Sequence, residues 1–300
     1  MVRPAGFAFN SQTAPSNVFQ RGLPAAEAAE AHRLACREFD GLSGALQRAG
    51  VEVIVASDTP EPCKPDAIFP NNWLSFHADG TVVLYPLMSL NRRPERRDEV
   101  ILEVAREGSF HITRTIDLSY REAQGKFLEG TGSLVLDRPH RVAYANLSPR
   151  THLDVLGEFA QQLDYTLMTF EAFDNTGVPI YHTNVMMAIG AKFAVICGAA
   201  IGQASQRAAV FSSLRASGRE IIEISLDQMQ NFAGNLLELG SAGGPVIALS
   251  AAAWVSLSPQ QRHLLESFGS VVPAAIPVIE RVGGGSVRCM LAEIFLPKHE

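Results

Sequence analysis

The stretch His182-Thr183-Asn184-Val185-Met186-Met187-Ala188-Ile189 runs from a polar turn directly into a short apolar strand, and this pattern recurs along the chain. A polar or glycine-bearing turn also precedes an apolar run in the segments 69–74, 129–136, 234–239 and 288–294. The five copies follow one another at steps of roughly fifty to sixty residues, near the upper end of the periods found in propellers and repeat arrays. Regular spacing predicts a closed, radially repeated fold. The alternative is coincidence, because a turn followed by a strand is common in any α/β protein.

Further predicted elements follow most copies in a constant order. A second apolar run comes first, then a stretch with helical spacing, and then another short strand. The second runs are 81–85, 141–145 and 193–197, the helices are 25–48, 94–107, 151–163, 203–216 and 259–268, and the closing strands are 52–55, 113–116 and 221–224. This order defines ββαβ units. Because no Pro-, Gly- or Ser-rich linker divides the chain, we expect a single α/β domain over residues 1–300.

The composition is that of an ordinary globular protein, with 47% hydrophobic and 19% charged residues. It excludes a disordered chain. No uncharged apolar stretch reaches the length of about eighteen residues that a transmembrane helix needs, and the first residues lack the apolar core of a secretory signal. We therefore expect a soluble, cytoplasmic protein. The formal net charge of −6 argues against nucleic acid and anionic membranes as partners, and the oligomeric state stays open, a homodimer included.

Neither the cysteines nor the histidines are spaced as metal ligands. The four cysteines stand far apart without a C-x-x-C pair, and the eight histidines form no H-x-H or H-E-x-x-H group. We therefore expect reduced thiols, no metal and no cofactor. Cys36, Cys63 and Cys197 are assigned to packing, whereas Cys289 is a candidate for chemistry.

Cys289 follows the glycine-rich segment Gly283-Gly284-Gly285-Ser286-Val287-Arg288 and opens an apolar, strand-like run. A cysteine at a junction of loop and strand, beside an arginine, ionises more easily than one in a core, and the thiolate is the nucleophilic form. The alternative is a small, buried apolar residue. The turns of the other units bear on this choice, because a radial fold brings equivalent turns together at one axis.

Those turns carry the other groups that nucleophilic catalysis requires. His182 opens the third copy and Glu129 the second, which supplies an imidazole and a carboxylate for acid–base chemistry. Asp66 belongs to the first copy. Taken singly, His182 also fits a structural histidine, and Glu129 and Asp66 also fit ordinary turn residues. The arginine-rich segment 91–99 can clamp an anionic group, with a solvated charged face as the alternative for most of its charges.

Four motifs taken together resemble those of the amidinotransferase and arginine-deiminase superfamily, the penteins. They are Asp66-Ala67-Ile68-Phe69-Pro70-Asn71-Asn72-Trp73, Leu128-Glu129-Gly130-Thr131-Gly132, His182-Thr183-Asn184-Val185-Met186-Met187 and Arg288-Cys289-Met290-Leu291-Ala292-Glu293. Within the superfamily, the chain is most similar to the citrulline-utilisation hydrolases, and the similarity covers nearly the whole chain. The resemblance implies a five-bladed, pseudo-symmetric α/β propeller whose axial site holds a Cys-His-acid triad.

The resemblance also implies roles for individual residues. Cys289 is the expected nucleophile, His182 the general acid and base, and Glu129 the carboxylate that orients it. Asp66 matches the position that binds the nitrogen-rich head of the substrate in relatives that hydrolyse methylated arginines. The arginines that hold the amino-acid end of the substrate in relatives correspond to Arg96 and Arg150.

Three asparagines stand where relatives carry acidic residues. Arginine deiminases have an acidic residue at the positions of Asn72 and Asn184, and relatives acting on methylarginines have a carboxylate at the position of Asn71. A guanidinium is a fixed cation with donors only, so its pocket should supply several carboxylates. Asparagine offers a donor and an acceptor, which suits a neutral ureido group. These three residues are therefore expected to bind substrate and to favour citrulline over arginine; whether Asn71 or Asn72 faces the ligand stays open.

The function expected from the sequence is a cofactor-free cysteine hydrolase of a small amino acid. Citrulline would give ornithine, ammonia and carbon dioxide through a covalent S-carbamoyl intermediate. Three alternatives stay open: hydrolysis of arginine or methylarginine by the same residues, amidino transfer to an amine acceptor, and a non-catalytic binding module built on the same propeller. Retention of cysteine, histidine and glutamate together weighs against the last of these. The sequence does not tell which C–N bond breaks first.

Overall fold

The computed structural model describes residues 1–299, and for residues 25 and 26 it describes the backbone only. The strands are β1 (Val2–Arg3), β2 (Ala56–Ser57), β3 (Leu74–Phe76), β4 (Thr81–Leu84), β5 (Arg114–Asp117), β6 (Leu134–Asp137), β7 (Val142–Asn146), β8 (Thr166–Phe170), β9 (Met187–Ile189), β10 (Phe193–Ile196), β11 (Glu220–Glu223), β12 (Leu237–Leu239), β13 (Val246–Ser250) and β14 (Ser270–Ala274). The helices are α1 (Ala25–Arg48), α2 (Asp98–Glu107), α3 (Gly130–Ser133), α4 (Leu153–Leu163), α5 (Ala204–Ala216), α6 (Leu226–Gln230), α7 (Ala251–Ser256) and α8 (Pro259–Phe268).

Four sheets within residues 1–299 repeat one topology. In the sheet β3-β4-β5, β3 runs antiparallel to β4 with Leu74 opposite Leu84, and β4 runs parallel to β5 with Val83 opposite Ile116. The sheets β6-β7-β8, β9-β10-β11 and β12-β13-β14 have the same order and directions. Helices lie between the two parallel strands, since parallel strands need a crossover connection. The predicted ββαβ unit is therefore present four times, and the first strand of each unit is called its inner strand below.

The fifth unit departs from the predicted strands. β1 pairs in parallel with β2 over two residues, and α1 lies between them in the chain. The strand predicted over 52–55 is thus misplaced, since the paired residues are Ala56–Ser57. The strand predicted to open at Cys289 is also wrong, because Val287–Met290 form a 3-10 turn and the described chain has no strand over 291–297. β1 and β2 pair over only two residues and so offer little edge for a third strand to pair with. Instead of pairing in a sheet, Leu291 and Leu296 pack into two separate apolar clusters.

The predicted helices 25–48 and 259–268 coincide with α1 and α8. α8 begins after Ser258, whose side chain accepts the backbone N–H of Gln261 in a capping box. The helix predicted over 94–107 begins only at Asp98, because Leu90–Glu95 form a separate 3-10 segment. No helix among residues 1–299 is both long and apolar enough to cross a membrane.

The middle strand of each three-stranded sheet lies in the interior. β10 and β13 are buried along their whole length, and strands covered on both faces show unbroken apolar runs. Helices supply much of the cover: Val155, Leu156 and Phe159 of α4 belong to the same apolar cluster as Ala143 and Ala145 of β7. Burial of a side chain such as Phe159 contributes about 2–3 kcal/mol.

The cysteines are free thiols. Cys36 and Cys197 are buried, as expected for residues that serve packing, and Cys289 is buried as well. Cys63 is exposed, so its assignment to packing is wrong. It follows Pro62 in a surface segment, and Sγ has one distant contact, 4.0 Å from the carbonyl oxygen of Gly6.

Candidate active site

The turns that precede the inner strands meet one another. Pro70–Asn72 precede β3 and Thr183–Val185 precede β9, and α3, which precedes β6, contacts both turns. Pro70–Asn72 also contact Val287–Met290 of the fifth unit. The approach is close: Gly130 has a φ of +46°, and a Cβ there would lie 2.2 Å from the carbonyl oxygen of Asn71. Only glycine allows this contact, which gives the Glu129-Gly130-Thr131-Gly132 motif a packing reason.

Glu129 and His182 form a buried hydrogen-bonded pair. Nε2 of His182 lies 2.8 Å from Oε2 of Glu129, and the two residues are 2% and 0% exposed, respectively. Burial lowers the pKa of His182 to about 4, against the opposing effect of Glu129. At neutral pH the imidazole is therefore uncharged. Its Nε2–H donates to Glu129, and Nδ1 keeps an electron pair for proton transfer.

The carboxylate of Glu129 is held by three donors. Besides His182, Nη1 of Arg150 donates to Oε2 at 3.3 Å, and the backbone N–H of Met88 donates to Oε1 at 3.1 Å. Burial alone would raise the pKa of Glu129, but Arg150 and the bond to His182 outweigh burial and hold this pKa well below its usual range. The carboxylate thus stays ionised and orients the imidazole ring.

The thiol of Cys289 faces two side-chain amides. Nδ2 of Asn184 and Nδ2 of Asn235 each lie 3.4 Å from Sγ. Asn235 is itself fixed, because its Oδ1 accepts the backbone N–H of Arg288 at 3.1 Å and its Nδ2 also donates to the carbonyl oxygen of Asn184 at 2.9 Å. Two N–H donors thus point at the sulfur, where they can stabilise negative charge that develops on it during a reaction.

Asn235 is absent from the site residues that the sequence predicts. A signal for it exists, since Gly234-Asn235-Leu236 opens the fourth copy of the repeat. Gly234 also packs as Gly130 does: a Cβ on Gly234 would lie 2.5 Å from the carbonyl oxygen of Val185. An asparagine after a glycine is ordinary in turns, so the residue type alone did not reveal a contact with the thiol.

The arginine of segment 91–99 that reaches this region is Arg92, not Arg96. Arg92 is 2% exposed and donates two hydrogen bonds to Glu95 at 2.9 and 2.8 Å and one to Oδ1 of Asn72 at 2.9 Å. Arg96 instead binds the carboxylate of Glu122 at 2.6 and 3.1 Å. The placement of Arg96 in the site is thereby corrected, because the 3-10 segment Leu90–Glu95 ends between the two arginines and turns the chain.

Asp66 is buried at the same cavity and is only partly satisfied. Its Oδ2 accepts hydrogen bonds from Nδ2 of Asn10 at 2.8 Å and Oγ1 of Thr13 at 3.2 Å, and Nε of Arg92 lies 3.8 Å from this oxygen. Its Oδ1 has no partner within the described residues. Burial raises the pKa of Asp66, although Arg92 and Asn10 oppose this effect. A buried oxygen without a partner is a place where a ligand can bind.

The three asparagines take different positions. Asn72 lines the cavity, and its Nδ2 donates to Oδ1 of Asn71 at 3.1 Å. Asn71 is fully buried and does not line the cavity. Asn184 reaches the Cys289 sulfur through its amide nitrogen, and its buried Oδ1 has no partner among residues 1–299. Of the first two, Asn72 is therefore the one that faces the cavity.

An N-terminal segment covers the cavity. Thr13 and Asn17 line it, and Nδ2 of Asn17 donates to the carbonyl oxygen of Gly284 at 3.1 Å. Arg150 binds this segment too, donating to Oγ of Ser16 at 2.7 Å and to the carbonyl oxygen of Thr13 at 2.9 Å. The cavity below has a volume of about 20 Å³, enough for about one water molecule. A ligand the size of an amino acid therefore requires groups that line the cavity to move.

One cavity thus joins residues from distant parts of the sequence. Of the predicted site residues, those that line it are Asp66, Asn72, Arg150, His182 and Cys289. A thiol, a neutral imidazole and an ionised carboxylate on that imidazole are the parts of covalent, acid–base catalysis. Across residues 1–299, no group of three or more His, Cys, Asp and Glu side chains is arranged to hold a metal ion.

Known proteins share this architecture. The family model for N,N dimethylarginine dimethylhydrolase, eukaryotic, matches residues 3–296. Among solved structures, ArgZ, an arginine dihydrolase from the ornithine–ammonia cycle in cyanobacteria, has a TM-score of 0.74 at 19% identity, covering 100% of this chain and 40% of ArgZ. The N-terminal domain of an ArgZ mutant bound to substrate has a TM-score of 0.74 at 18% identity, covering 99% of this chain and 98% of that domain. A dimethylarginine dimethylaminohydrolase adduct with S-methyl-L-thiocitrulline has a TM-score of 0.64 at 15% identity, covering 96% of both chains. No curated protein matches the chain.

The fold and the family match together place the chain among the penteins. The family match extends over residues 3–296, and the chain belongs to the N,N-dimethylarginine dimethylhydrolase family. The resemblance to the penteins and the predicted α/β propeller of ββαβ units are thereby confirmed. At 15–19% identity, the similarity to the solved structures supports the fold and nothing beyond it. The chain spans about 40% of the length of full ArgZ.

Proposed function

We propose that the protein hydrolyses a linear ureido amino acid, citrulline first of all, to ornithine, ammonia and carbon dioxide. One observation carries this choice of substrate. The side chains within hydrogen-bonding distance of the Cys289 sulfur are the uncharged amides of Asn184 and Asn235, each at 3.4 Å. A third uncharged amide, that of Asn72, lines the cavity.

A neutral head group fits these surroundings better than a cation. A guanidinium has donors only and calls for several carboxylates. Asp66 is the carboxylate that lines the cavity, and its charge is already balanced by Arg92, whose Nε lies 3.8 Å from Oδ2 of Asp66. A ureido group has N–H donors and a carbonyl oxygen. The free Oδ1 atoms of Asn184 and Asp66 suit the N–H donors, and a side-chain amide can also donate to the carbonyl oxygen.

The reaction proceeds through a covalent intermediate on Cys289. Its Sγ attacks the ureido carbon, and the thiol proton passes to Nδ1 of His182. The imidazolium then protonates the departing amine as the C–N bond breaks, which leaves an S-carbamoyl group on the sulfur. Neutral His182, oriented by Glu129, takes a proton from water, and the water oxygen attacks the carbonyl carbon. The C–S bond breaks, the imidazolium returns its proton to the sulfur, and the released carbamic acid decomposes to ammonia and carbon dioxide.

Arg150 binds the carboxylate of the substrate in this proposal. Its guanidinium now donates to Oγ of Ser16 and to the carbonyl oxygen of Thr13 in the covering segment. These are neutral acceptors, and a carboxylate is the better partner for arginine because both groups are charged and can pair in a bidentate manner. Entry of substrate thus exchanges the contacts of the covering segment for contacts to the ligand.

Hydrolysis of arginine or a methylarginine is the second candidate. The observation that favours it is the buried, unpartnered Oδ1 of Asp66, which can accept an N–H of a guanidinium. The family match points the same way. Cys289, His182 and Glu129 would act as described above, with an S-alkylthiouronium adduct in place of the S-carbamoyl group.

The test is release of ammonia from L-citrulline and L-arginine, and of methylamine or dimethylamine from methylated arginines, measured side by side on the purified protein. We expect turnover of citrulline, release of labelled carbon dioxide from carbamoyl-labelled citrulline, and loss of both in Cys289→Ala. Turnover of a guanidino compound in preference to citrulline would contradict the ureido proposal and leave the catalytic residues standing. Product formation that depends on an added amine acceptor would indicate transfer. A Cys289 thiol inert to chloroacetamidine would indicate a binding module.

A further inference from the structure

A second cavity lies at the other end of the inner strands. The active-site cavity is lined by turns that precede these strands, whereas the second cavity is lined by residues at or just past their ends, namely His77, Leu136, Ile189 and Leu239. The inner strands have three or four residues, so about 10 Å of strand separates the two cavities. Cys289 lies at the first cavity and residues 291–295 line the second.

The second cavity has the size and lining of a small-molecule site. Its volume is about 960 Å³, within the range of about 300–1,000 Å³ that is usual for ligand pockets. Most lining side chains are apolar or aromatic, among them Phe110, Tyr165, Leu291 and Phe295. The ring of Phe295 stays 39% exposed. This leaves aromatic surface that a ligand can cover.

Two arginines of this cavity have no carboxylate partner in the part of the chain that the structure describes. The guanidinium of Arg138 lies 4.0 Å from the ring centre of Phe295, and its Nη1 reaches only the carbonyl oxygen of Phe76 and Nδ1 of His77, both at 3.4 Å. The guanidinium of Arg141 lies 5.5 Å from the ring centre of Tyr165. Both cations are therefore held beside aromatic rings with donors to spare.

The other charged groups of the cavity are already paired or bonded. Burial lowers the pKa of His77 to about 3, so this imidazole adds no charge at neutral pH. Glu238 accepts the backbone N–H of Ala191 at 3.2 Å. The remaining charges form the ion pairs Arg219–Asp137, Glu293–Arg288, Asp79–Arg114 and Glu52–Lys298. The Met1 amine, whose pKa burial lowers to about 6, donates to the carbonyl oxygen of Ile54 at 2.9 Å. Among the described residues Glu238 is a carboxylate without an ion-pair partner, and it is outnumbered by Arg138 and Arg141, so the unpaired charge beside the apolar surface is net positive.

We propose that the second cavity binds an organic anion with an apolar body. A carboxylate or phosphate group binds Arg138 and Arg141, and the apolar part packs against Phe295, Tyr165 and Leu291. This ligand is distinct from the substrate, since an apolar lining offers nothing to the polar ureido head of citrulline. The site is independent of the proposed hydrolysis, because none of its residues belongs to the catalytic cavity.

Anilinonaphthalene sulfonate, a fluorescent aromatic anion, is a suitable probe for the intact protein. We expect one dye per chain, and binding at least about tenfold weaker in Arg138→Gln with Arg141→Gln, the effect of losing charge-assisted hydrogen bonds. Arg141→Gln alone changes an exposed side chain, so it tests the site without risk to folding. Arg207→Gln, another exposed arginine, which pairs with Glu223 away from the cavity, should leave the affinity unchanged. Phenylacetate and phenyl phosphate as competitors distinguish a carboxylate from a phosphate.

Several outcomes would overturn this proposal. Equal affinity in the wild type and the double variant would show that the arginines do not bind the anion. Weaker binding in Arg150→Gln, equal to that in the double variant, would place the dye in the catalytic cavity. If inorganic phosphate displaced the dye as effectively as phenyl phosphate, apolar contacts would contribute nothing to the affinity of the site. Dye binding confined to monomers of a protein that dimerises, judged by light scattering, would identify a second copy of the chain as the occupant.

Discussion

Asn235 donates its side-chain amide to the sulfur of Cys289 at 3.4 Å, although 54 positions separate the two residues in the sequence. The same side chain accepts the backbone N–H of Arg288 at 3.1 Å. One asparagine from the fourth unit thus holds both the sulfur and the backbone just before it in the fifth. Its amide brings an N–H donor to the sulfur without bringing a charge, whereas an aspartate in its place would bring a negative charge.

Removal of this amide should slow the chemistry of the thiol. In Asn235→Ala we expect the rate of Cys289 alkylation by chloroacetamidine, and kcat/KM, to fall by about 10–100-fold, the effect of losing a hydrogen bond to a charged group. Asn235→Asp should be at least as slow, because a carboxylate repels the thiolate. Asn231→Ala is the matched control, since this amide lies in the same turn and bonds only the carbonyl oxygen of Asp227. An alkylation rate in Asn235→Ala equal to that of the control would deny Asn235 a role at the sulfur.

Gly132 leaves room for the imidazole of His182, the proposed general acid and base. A Cβ at this position would lie 2.7 Å from Nδ1 of His182 and 2.5 Å from Nδ2 of Asn72. In Gly132→Ala we therefore expect displacement of both side chains, a loss of activity of at least about a hundredfold, and a stability cost of about 1–3 kcal/mol from overpacking. Gly157→Ala in α4, where a Cβ meets nothing within 4 Å, is the control and should keep full activity. Wild-type activity in Gly132→Ala would contradict the position of His182.

The sequence predicts the architecture better than the direction of single side chains. The ββαβ order followed from apolar runs, because middle strands such as β10 are buried on both faces and show no polar alternation. The residues that meet at the cavity, such as His182 and Cys289, followed from motifs that recur at turns. Arg92 and Arg96 could not be told apart in this way, since a 3-10 segment inside a charged run determines which side chain turns inward. The missing fifth-unit strand has a similar cause, because Leu291 and Leu296 satisfy an apolar pattern without pairing in a sheet.

The two arginines can be separated by mutation. Arg92→Gln removes a buried cation that binds Glu95 and Asn72 and should reduce kcat/KM by at least about a hundredfold, in part because Glu95 is left as an unpaired buried carboxylate. Arg96→Gln removes the pair with Glu122 and a hydrogen bond to the carbonyl oxygen of Tyr85, both outside the cavity, and should keep KM within about twofold. Steady-state kinetics of both variants, with thermal unfolding to compare their folding, checks this. A raised KM in Arg96→Gln without such a change in Arg92→Gln would restore the role first expected for Arg96.

The two buried histidines should contribute a loss of stability as the pH drops below neutral, whereas Glu95, whose pKa burial raises to about 7, contributes in the opposite direction. Burial lowers the pKa of His182 to about 4 and that of His77 to about 3, whereas a histidine in an unfolded chain titrates near 6.5. Because the folded values are depressed, the unfolded state binds more protons between these pH values. Stability present above pH 6.5 is then lost as the pH falls through the folded pKa. At roughly 1.4 kcal/mol per pH unit, His182 alone accounts for about 3 kcal/mol between pH 7 and pH 4.

Urea unfolding at several pH values between 7.5 and 4.5 measures this loss. His77→Gln retains a hydrogen-bonding group for Oγ of Ser75, which His77 now meets at 2.9 Å, and should lose less stability on acidification than the wild type. His263→Gln, which replaces an exposed histidine, is the control and should follow the wild-type curve. An identical pH dependence in His77→Gln and the wild type would contradict a neutral, buried His77.

Asn72 is the position at which the choice between ureido and guanidino substrates can be tested. It lines the cavity and accepts a hydrogen bond from Nη1 of Arg92 at 2.9 Å. Asn72→Asp places a further carboxylate there at nearly constant side-chain shape. A carboxylate attracts a guanidinium cation, whereas a neutral ureido group loses the amide N–H as a hydrogen-bond donor. We therefore expect the ratio of kcat/KM for citrulline to kcat/KM for arginine to fall by at least about tenfold. Asn91→Asp changes the charge by the same amount at a half-buried position outside the cavity and should leave the ratio unchanged. A constant ratio in Asn72→Asp would mean that substrate choice does not depend on this amide, and the preference for a neutral head group would then have to come from Asn184 and Asn235 at the sulfur.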